Sequence, residues 1–154
     1  MENFDTNKTC SFTGHRILSK DFNVDKLEEV INDMLKREFK TFLIGMAMGF
    51  DLKCFEILLS KKREFNIDII ACIPCREQSK YYKKNNKEIY DEYLKKADKI
   101  VCLNEEYTDG CMQQRNRFMV DNSSALIAHC KYFKGGTLYT VNYAKKKNKE
   151  IINV

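Results

Sequence analysis

The sequence of 154 residues lacks several features that would place it in a class of protein at once. It contains no apolar run that approaches the length of a membrane span, so no membrane partner is expected. The polar, acidic start at residues 1–8 does not resemble a signal peptide. The seven cysteines are odd in number and irregularly spaced, which predicts reduced thiols in a cytoplasmic protein.

Catalytic and metal-binding signatures are also scarce. There are two histidines, and no second Cys-x-x-Cys pair accompanies Cys72 and Cys75, so no metal is expected. The sequence has no Gly-x-Ser-x-Gly elbow, no Gly-x-Gly-x-x-Gly fingerprint and no Walker loop. The net charge of +5 suits an anionic ligand, but it does not form a basic stripe, so nucleic acid is not expected as a partner.

Short apolar runs alternate with amphipathic stretches along the chain. The apolar runs predict strands at residues 9–13, 41–45, 68–74, 99–103, 125–130 and 150–154. The amphipathic stretches predict helices at residues 24–39, 51–63, 85–97, 113–121 and 136–147. This alternation predicts one α/β domain over residues 1–154, a Rossmann-like, doubly wound and mainly parallel sheet of about six strands with helices on both faces.

The two kinds of connection differ in composition. Helix-to-strand connections resemble plain solvated turns, whereas strand-to-helix connections are rich in glycine and in polar functional side chains. In an open parallel sheet all the strand-to-helix loops meet at the carboxyl edge, where ligands bind. The sequence therefore predicts a binding site for a nucleotide-like small molecule, with no other cofactor, at that edge.

Three of these loops are candidates for phosphate binding. Glycines let backbone N–H groups approach an anion, and a helix N-terminus carries partial positive charge. The candidate residues are Gly135, Gly136 and Thr137 before the last helix, Gly45, Met46, Ala47 and Gly49 after the second strand, and Thr13, Gly14, His15 and Arg16 after the first. The alternatives are an ordinary turn with a threonine cap, and a surface turn whose arginine pairs with a carboxylate.

The remaining candidates follow the second, third and fourth strands. Arg76 and Arg115 are expected to supply charge, Asn104 or Asp51 to meet ribose or base edges, and Tyr107 or Phe50 to stack on a base. Pro74, Cys111 and Asn116 complete the predicted binding set. For Asp51, which begins a helix, capping is the alternative that the sequence favours. If the protein is an enzyme, Asp51 and Glu77 are its candidate catalytic carboxylates, but binding without turnover is the preferred interpretation.

Five motifs in order resemble the YpsA/YoqJ-like branch of the SLOG superfamily, which includes Smf/DprA and LOG-like proteins. They are SFTGHR (11–16), GMAMGFD (45–51), IPC (73–75), YTDGCMQQRNRFMVD (107–121) and GGTLYT (135–140). The resemblance covers nearly the whole chain. It implies a Rossmann-like fold, a nucleotide-derived ligand and a homo-oligomer, either a dimer or a larger assembly.

The resemblance leaves three functions open. LOG enzymes are phosphoribohydrolases with a Pro-Gly-Gly-x-Gly-Thr loop and a following glutamate, whereas this chain has a shorter loop and Tyr139-Thr140 there. DprA-like members bind single-stranded DNA. Other SLOG domains sense ADP-ribose-type signals, including cyclic ADP-ribose, in antiphage systems. The resemblance therefore favours a sensor, or a phage-type protein that sequesters such a signal, over an N-glycosidase or a DNA-binding protein.

Overall fold

Strands and helices alternate along the chain, and the computed structural model describes residues 4–154. The strands are β1 (Thr9–Gly14), β2 (Thr41–Ile44), β3 (Asp68–Ile73), β4 (Lys99–Cys102), β5 (Ala125–His129) and β6 (Glu150–Asn153). The helices are α1 (Val24–Lys36), α2 (Phe50–Lys61), α3 (Lys84–Lys96), α4 (Cys111–Asp121) and α5 (Gly136–Lys146), after a short 3-10 helix at Thr6–Lys8. The predicted order and type of these strands and helices are confirmed, with boundaries that differ by a few residues.

The strands form a single parallel sheet in the order β4-β3-β2-β1-β5-β6. Successive side chains of a strand point to opposite faces of the sheet. Different helices cover the two faces. Phe12, Phe42 and Ile44 pack with buried residues of α1, α2 and α3. Leu43 packs with Met119 of α4, and Leu126 packs with residues of α5. The α/β fold is therefore Rossmann-like and doubly wound, as the sequence predicted.

Helix α1 ends earlier than its apolar periodicity predicted. Glu38 adopts a positive φ of 65°, and the N–H groups of Glu38 and Phe39 donate to the carbonyls of Leu35 and Met34 at 3.0 and 3.1 Å. This pair of bonds is a Schellman motif, which closes the helix before Phe39. At the other end Val24 is exposed, because it is the first residue after the Asn23 cap.

The sheet changes winding direction between β1 and β5. These two strands are neighbours, and the chain leaves β1 for α1 on one face and leaves β5 for α5 on the other. Loops that diverge from adjacent strands leave a crevice at the carboxyl edge of the sheet, and ligands of doubly wound proteins bind in such crevices. The fold therefore places the loops after β1 and β5 at the centre of any site on this edge.

Candidate functional site

A cleft of about 1000 Å³ opens at the carboxyl edge of the sheet, and all five strand-to-helix loops or the helix starts that follow them contribute to its wall. The cleft brings together these sequence-predicted residues: Thr13, Gly14, His15, Arg16, Ala47, Asp51, Tyr107, Arg115, Asn116, Gly136 and Thr137. Its lining does not include these predicted residues: Gly45, Met46, Gly49, Pro74, Arg76, Glu77, Asn104, Cys111 and Gly135.

The β2–α2 loop, residues 45–49, lines the cleft through Ala47 and Met48 and is held in place by side chains from other segments. The Gly45 carbonyl accepts hydrogen bonds from the Arg115 guanidinium and, at 2.8 Å, from the Gln78 amide. The Tyr82 hydroxyl donates to the Met46 carbonyl at 3.0 Å, and Met46 has a φ of +64°. Gly45 and Met46 therefore fix the loop and leave Ala47 to face the cleft.

Arg115 is a buried cation bonded to this loop, with 5% of its surface exposed. Besides Gly45, its guanidinium donates to the Cys72 carbonyl at 3.2 Å and to the Asn116 side chain at 2.8 Å. Burial lowers the pKa of Arg115, and the carboxylate of Asp51 acts in the opposite direction. These bonds join the ends of β2 and β3, and Arg115, which the sequence predicted to contact the ligand, also lines the cleft.

Asp51 is the second residue of α2 and does not cap the helix, whose N-cap is Gly49. Its Oδ2 instead accepts a hydrogen bond from the Ala47 N–H at 3.1 Å. Its Oδ1 has no hydrogen-bond partner within the described residues, although the side chain is only 6% exposed and lines the cleft. Burial raises the pKa of Asp51 to about 6, against opposing effects of Arg115 and the Ala47 N–H. An unsatisfied buried carboxylate oxygen is rare and calls for a partner from outside the chain.

Two of the predicted phosphate-loop glycines are required by packing. A Cβ on Gly14 would lie 2.2 Å from the Phe50 ring. One on Gly49, whose φ is +75°, would lie 2.3 Å from the Arg16 carbonyl oxygen. The prediction that Phe50 is exposed and stacks on a base is wrong, because its ring is fully buried against Gly14, Phe22 and His129.

We expect Gly49→Ala to lower the free energy of unfolding by at least about 2 kcal/mol, because both strain and a backbone clash oppose the new Cβ. Gly110→Ala is the control for a positive φ without a clash, since its φ and ψ are 79° and 4°, against 75° and −113° for Gly49, and nothing lies within 4 Å of its Cβ. It should lose about 1 kcal/mol from the left-handed conformation alone. Urea denaturation of the two variants measures both values, and equal losses would contradict the packing argument.

His15 joins the loops after β1 and β5. Its Nε2 accepts a hydrogen bond from the Lys131 backbone N–H at 2.8 Å, so the ring is neutral with its other proton on Nδ1. Its centroid lies 5.4 Å from that of His129 and 4.7 Å from that of Tyr132. Burial lowers the pKa of His15, and His129 and Lys131 lower it further. The neutral form therefore persists at physiological pH.

The start of α5 provides backbone N–H donors at the cleft. Gly135 has φ and ψ of 102° and −178°, which suit glycine alone, and no side chain caps the helix. Thr137 is buried, lines the cleft and does not cap the helix. Arg16 faces the same cleft, and none of the ion pairs in the described part of the chain includes it. An uncapped helix start offers free backbone N–H donors, and an arginine outside any ion pair offers positive charge, so both could bind an anion.

The loops after β3 and β4 are bonded to each other. Arg76 pairs with Glu105 at 2.6 Å on the surface, and Glu77 accepts from the Tyr107 N–H at 3.1 Å. The Asn104 amide donates to the Pro74 carbonyl at 2.9 Å. Arg76, Glu77 and Asn104 thus join the two loops outside the cleft. Cys111 begins α4 and is buried, as are Cys72 and Cys75 of the Cys-x-x-Cys pair.

Sequence reasoning missed several residues of the cleft wall, chiefly Gln78, Tyr81, Tyr82 and Tyr132. The Tyr81 and Tyr132 side chains are 88% and 58% exposed. Each lies in a strand-to-helix loop of the predicted edge, so the rule that selected Tyr107 would also have selected them. No helix in the described residues has the length and apolar character that a membrane crossing demands.

The six-stranded parallel sheet, the helices on both faces and the cleft at its carboxyl edge define a Rossmann-like α/β protein. The model of the YpsA family, described as the YspA SLOG family, matches residues 20–153, so the chain belongs to this SLOG family. It is 34% identical over 136 residues to the SPbeta prophage-derived protein YoqJ of Bacillus subtilis strain 168, covering 79% of this chain and 80% of YoqJ. It is 28% identical over 131 residues to a UPF0398 protein of Bacillus cereus strain B4264, covering 77% and 71%.

Solved structures of two DNA processing proteins share this fold. DprA from Streptococcus pneumoniae superposes with a TM-score of 0.71 and 21% identity, over 94% of this chain and 49% of DprA. DprA from Helicobacter pylori, solved for its single-stranded DNA binding mode, superposes with a TM-score of 0.70 and 21% identity, over 97% of this chain and 66% of that protein. The chain therefore spans about half to two thirds of these neighbours, and the likeness concerns the fold alone.

Proposed function

We propose that this protein binds a nucleotide-derived small molecule of the ADP-ribose, cyclic ADP-ribose or adenine-nucleotide type in the cleft. The observation that carries the proposal is the unpartnered Oδ1 of Asp51, buried in a cleft that an uncapped helix start also lines. A ribose hydroxyl would donate to Asp51. Phosphate oxygens would accept from the first N–H groups of α5 and from Arg16.

Binding without turnover fits the lining better than hydrolysis does. Glycosidic-bond hydrolysis uses two carboxyl groups about 5 to 9.5 Å apart that flank one bond. Among residues 4–154, Asp51 is the one carboxylate that lines the cleft, and Glu77 instead accepts from the Tyr107 backbone. After the Gly135–Gly136–Thr137 loop, where LOG enzymes carry a glutamate, this chain has Tyr139 and Thr140. The Thr140 hydroxyl donates to the Gly136 carbonyl. N-glycosidase or phosphoribohydrolase activity is therefore the lesser candidate.

The biological role that we propose is a sensor of a nucleotide signal, or a phage-type protein that sequesters an antiphage signal. Its relative YoqJ is prophage-derived, which suits the second role. A cleft with one carboxylate would hold a signal without consuming it. The homo-oligomer, the single domain over residues 1–154 and the cytoplasmic location stay predictions from the sequence, and analytical ultracentrifugation measures the first of them.

Single-stranded DNA is the second candidate ligand. The Helicobacter pylori neighbour binds single-stranded DNA, which weighs against the expectation that nucleic acid is not a partner. The exposed rings of Tyr81, Tyr107 and Tyr132 line the cleft and are suited to stacking on bases, and the net charge is +5. DNA binding would show a steeper dependence on salt than binding of a small nucleotide, because more phosphates would be neutralised.

A thermal-shift screen of the purified protein tests the proposal. The panel contains AMP, ADP-ribose, NAD, cyclic ADP-ribose isomers, cyclic dinucleotides and a thymidine oligonucleotide, and each mixture is analysed by chromatography afterwards. A ligand at a hundredfold excess over its Kd should stabilise the protein by about 2.7 kcal/mol. Recovery of the ligand intact would support binding, and released base or ribose phosphate would establish hydrolysis. A shift with the oligonucleotide alone would replace the proposal with DNA binding.

A further inference from the structure

Asp51 and Arg115 are opposite charges that are bonded to the same loop but not to each other. Asp51 Oδ2 accepts a hydrogen bond from the Ala47 N–H, and Arg115 donates to the Gly45 carbonyl two residues earlier. None of the ion pairs found within residues 4–154 joins the two side chains. Each charge nevertheless affects the pKa of the other, so the two groups are neighbours that do not neutralise each other by direct contact.

Each of the two groups also keeps hydrogen-bonding capacity at the cleft. Oδ1 of Asp51 has no hydrogen-bond partner within the described residues. Arg115 directs Nε and Nη1 to oxygen acceptors, whereas Nη2 has the Met112 sulfur as its acceptor, at 3.8 Å. Sulfur is a weak acceptor, so Nη2 retains donor capacity. Both side chains line the cleft, which therefore presents an unsatisfied acceptor and an unsatisfied donor near each other.

A hydroxyl is the ligand group that matches this pair. Its oxygen accepts a hydrogen bond from a guanidinium while its proton is donated to a carboxylate. A phosphate oxygen has no proton to donate and would be repelled by Asp51, and an ammonium group would be repelled by Arg115. Asp51 and Arg115 are 6% and 5% exposed, so a single small group reaches them more readily than the edge of a planar base does. In nucleotides, that small group is a ribose hydroxyl.

We propose that Asp51 and Arg115 together select a free ribose hydroxyl, so that the ligand is a ribonucleotide with no substituent on that oxygen. This inference rests on the proposed function and specifies its ligand class. A DNA strand would not satisfy the pair, because its sugars lack the 2′-hydroxyl and its internal 3′-oxygens are esterified. A phosphate on the selected hydroxyl would remove the donated proton and bring negative charge against Asp51.

Calorimetry at pH 8 with deoxy analogues tests the inference. AMP and ADP-ribose are each compared with analogues that lack one ribose hydroxyl, and the analogues that lack the other hydroxyls are the matched controls. Loss of the selected hydroxyl should weaken binding about 10- to 150-fold, which corresponds to the roughly 1.5–3 kcal/mol of a hydrogen bond to a charged group.

The outcomes separate this inference from the proposed function. Equal affinities for every deoxy analogue would overturn the inference and leave the proposed function intact. A loss with IMP instead, whose 6-keto base reverses the donor and acceptor of the adenine edge, would assign the pair to a base and also overturn it. Failure of both AMP and ADP-ribose would overturn the inference, and failure of the whole thermal-shift panel would refute the proposed function as well.

Variants assign the hydroxyl to the pair. Asp51→Asn should reduce the ratio of parent to deoxy affinity about tenfold at pH 8, because its acceptor is neutral. Arg16→Met is the control, since Arg16 lines the cleft outside the ion pairs of the described residues. The phosphate is common to parent and analogue, so this variant should weaken both and leave their ratio unchanged. If Asp51→Asn leaves the ratio unchanged, the hydroxyl is bound elsewhere and the inference is wrong.

Discussion

Arg115→Met should lower the free energy of unfolding by about 3–5 kcal/mol, as expected when one partner of a buried charged network is removed. The change leaves the Cys72 carbonyl without its guanidinium donor and leaves the Gly45 carbonyl with Gln78 alone. It also takes the neighbouring positive charge from the buried carboxyl group of Asp51. For a chain of 154 residues, this loss corresponds to a fall in Tm of roughly 10 °C.

Arg117→Met provides the matched control two residues further along α4. Arg117 donates to the Tyr139 hydroxyl at 2.8 Å in an exposed setting, so its loss should change stability by less than about 0.5 kcal/mol. Thermal and urea denaturation of both variants give the comparison. Arg115→Lys should recover only part of the loss, because an ammonium lacks the planar fork that bonds several acceptors at once. Similar stabilities for the Arg115→Met and Arg117→Met proteins would show that the buried network contributes little.

The fold follows from local patterns that the sequence displays directly. The continuous apolar run of β3 is typical of a buried strand, and the apolar residues of α1 recur at helical spacing. The order of strands and helices, and therefore the parallel sheet, was predictable from such patterns. The end of α1 was not, because it depends on Glu38 in a left-handed conformation, which sequence alone disfavours. Periodicity therefore determines the type of an element better than its boundaries.

The position of the cleft was predictable, but the contacts of each side chain in it were not. The glycine-rich, polar loops after the strands identified the carboxyl edge. Whether Gly14 serves an anion or packs on Phe50, and whether Arg76 faces the cleft or pairs with Glu105, depends on contacts between distant segments. For the same reason, the sequence does not reveal that Oδ1 of Asp51 lacks a partner or that Gln78 and Arg115 donate to the Gly45 carbonyl.

Asp51→Asn should change stability and ligand binding in opposite directions at neutral pH. Burial raises the pKa of Asp51 from its ordinary value of 3.8 to about 6, so between these values the folded protein holds a proton that the unfolded chain has lost. The wild-type contribution to stability is therefore fully present below about pH 4 and is lost as the pH rises through 6, by about 3 kcal/mol in total. Other titrating groups are common to both proteins, so the difference in their free energies of unfolding from pH 4.5 to 8 isolates Asp51.

The variant should thus gain stability relative to the wild type as the pH rises, yet bind ADP-ribose about tenfold more weakly at pH 8. A hydrogen bond to a charged acceptor is worth roughly 1.5–3 kcal/mol, against about 0.5–1.5 kcal/mol for a neutral one. At pH 5 the wild-type carboxyl group is itself protonated, so the two affinities should converge. Calorimetry at both pH values, with Glu106→Gln as an exposed carboxylate control, measures this. Equal affinities of the two proteins at pH 8 would mean that Asp51 does not contact the ligand. A tenfold difference at pH 8 that disappears at pH 5 would show that the charged carboxylate strengthens binding although its burial lowers stability.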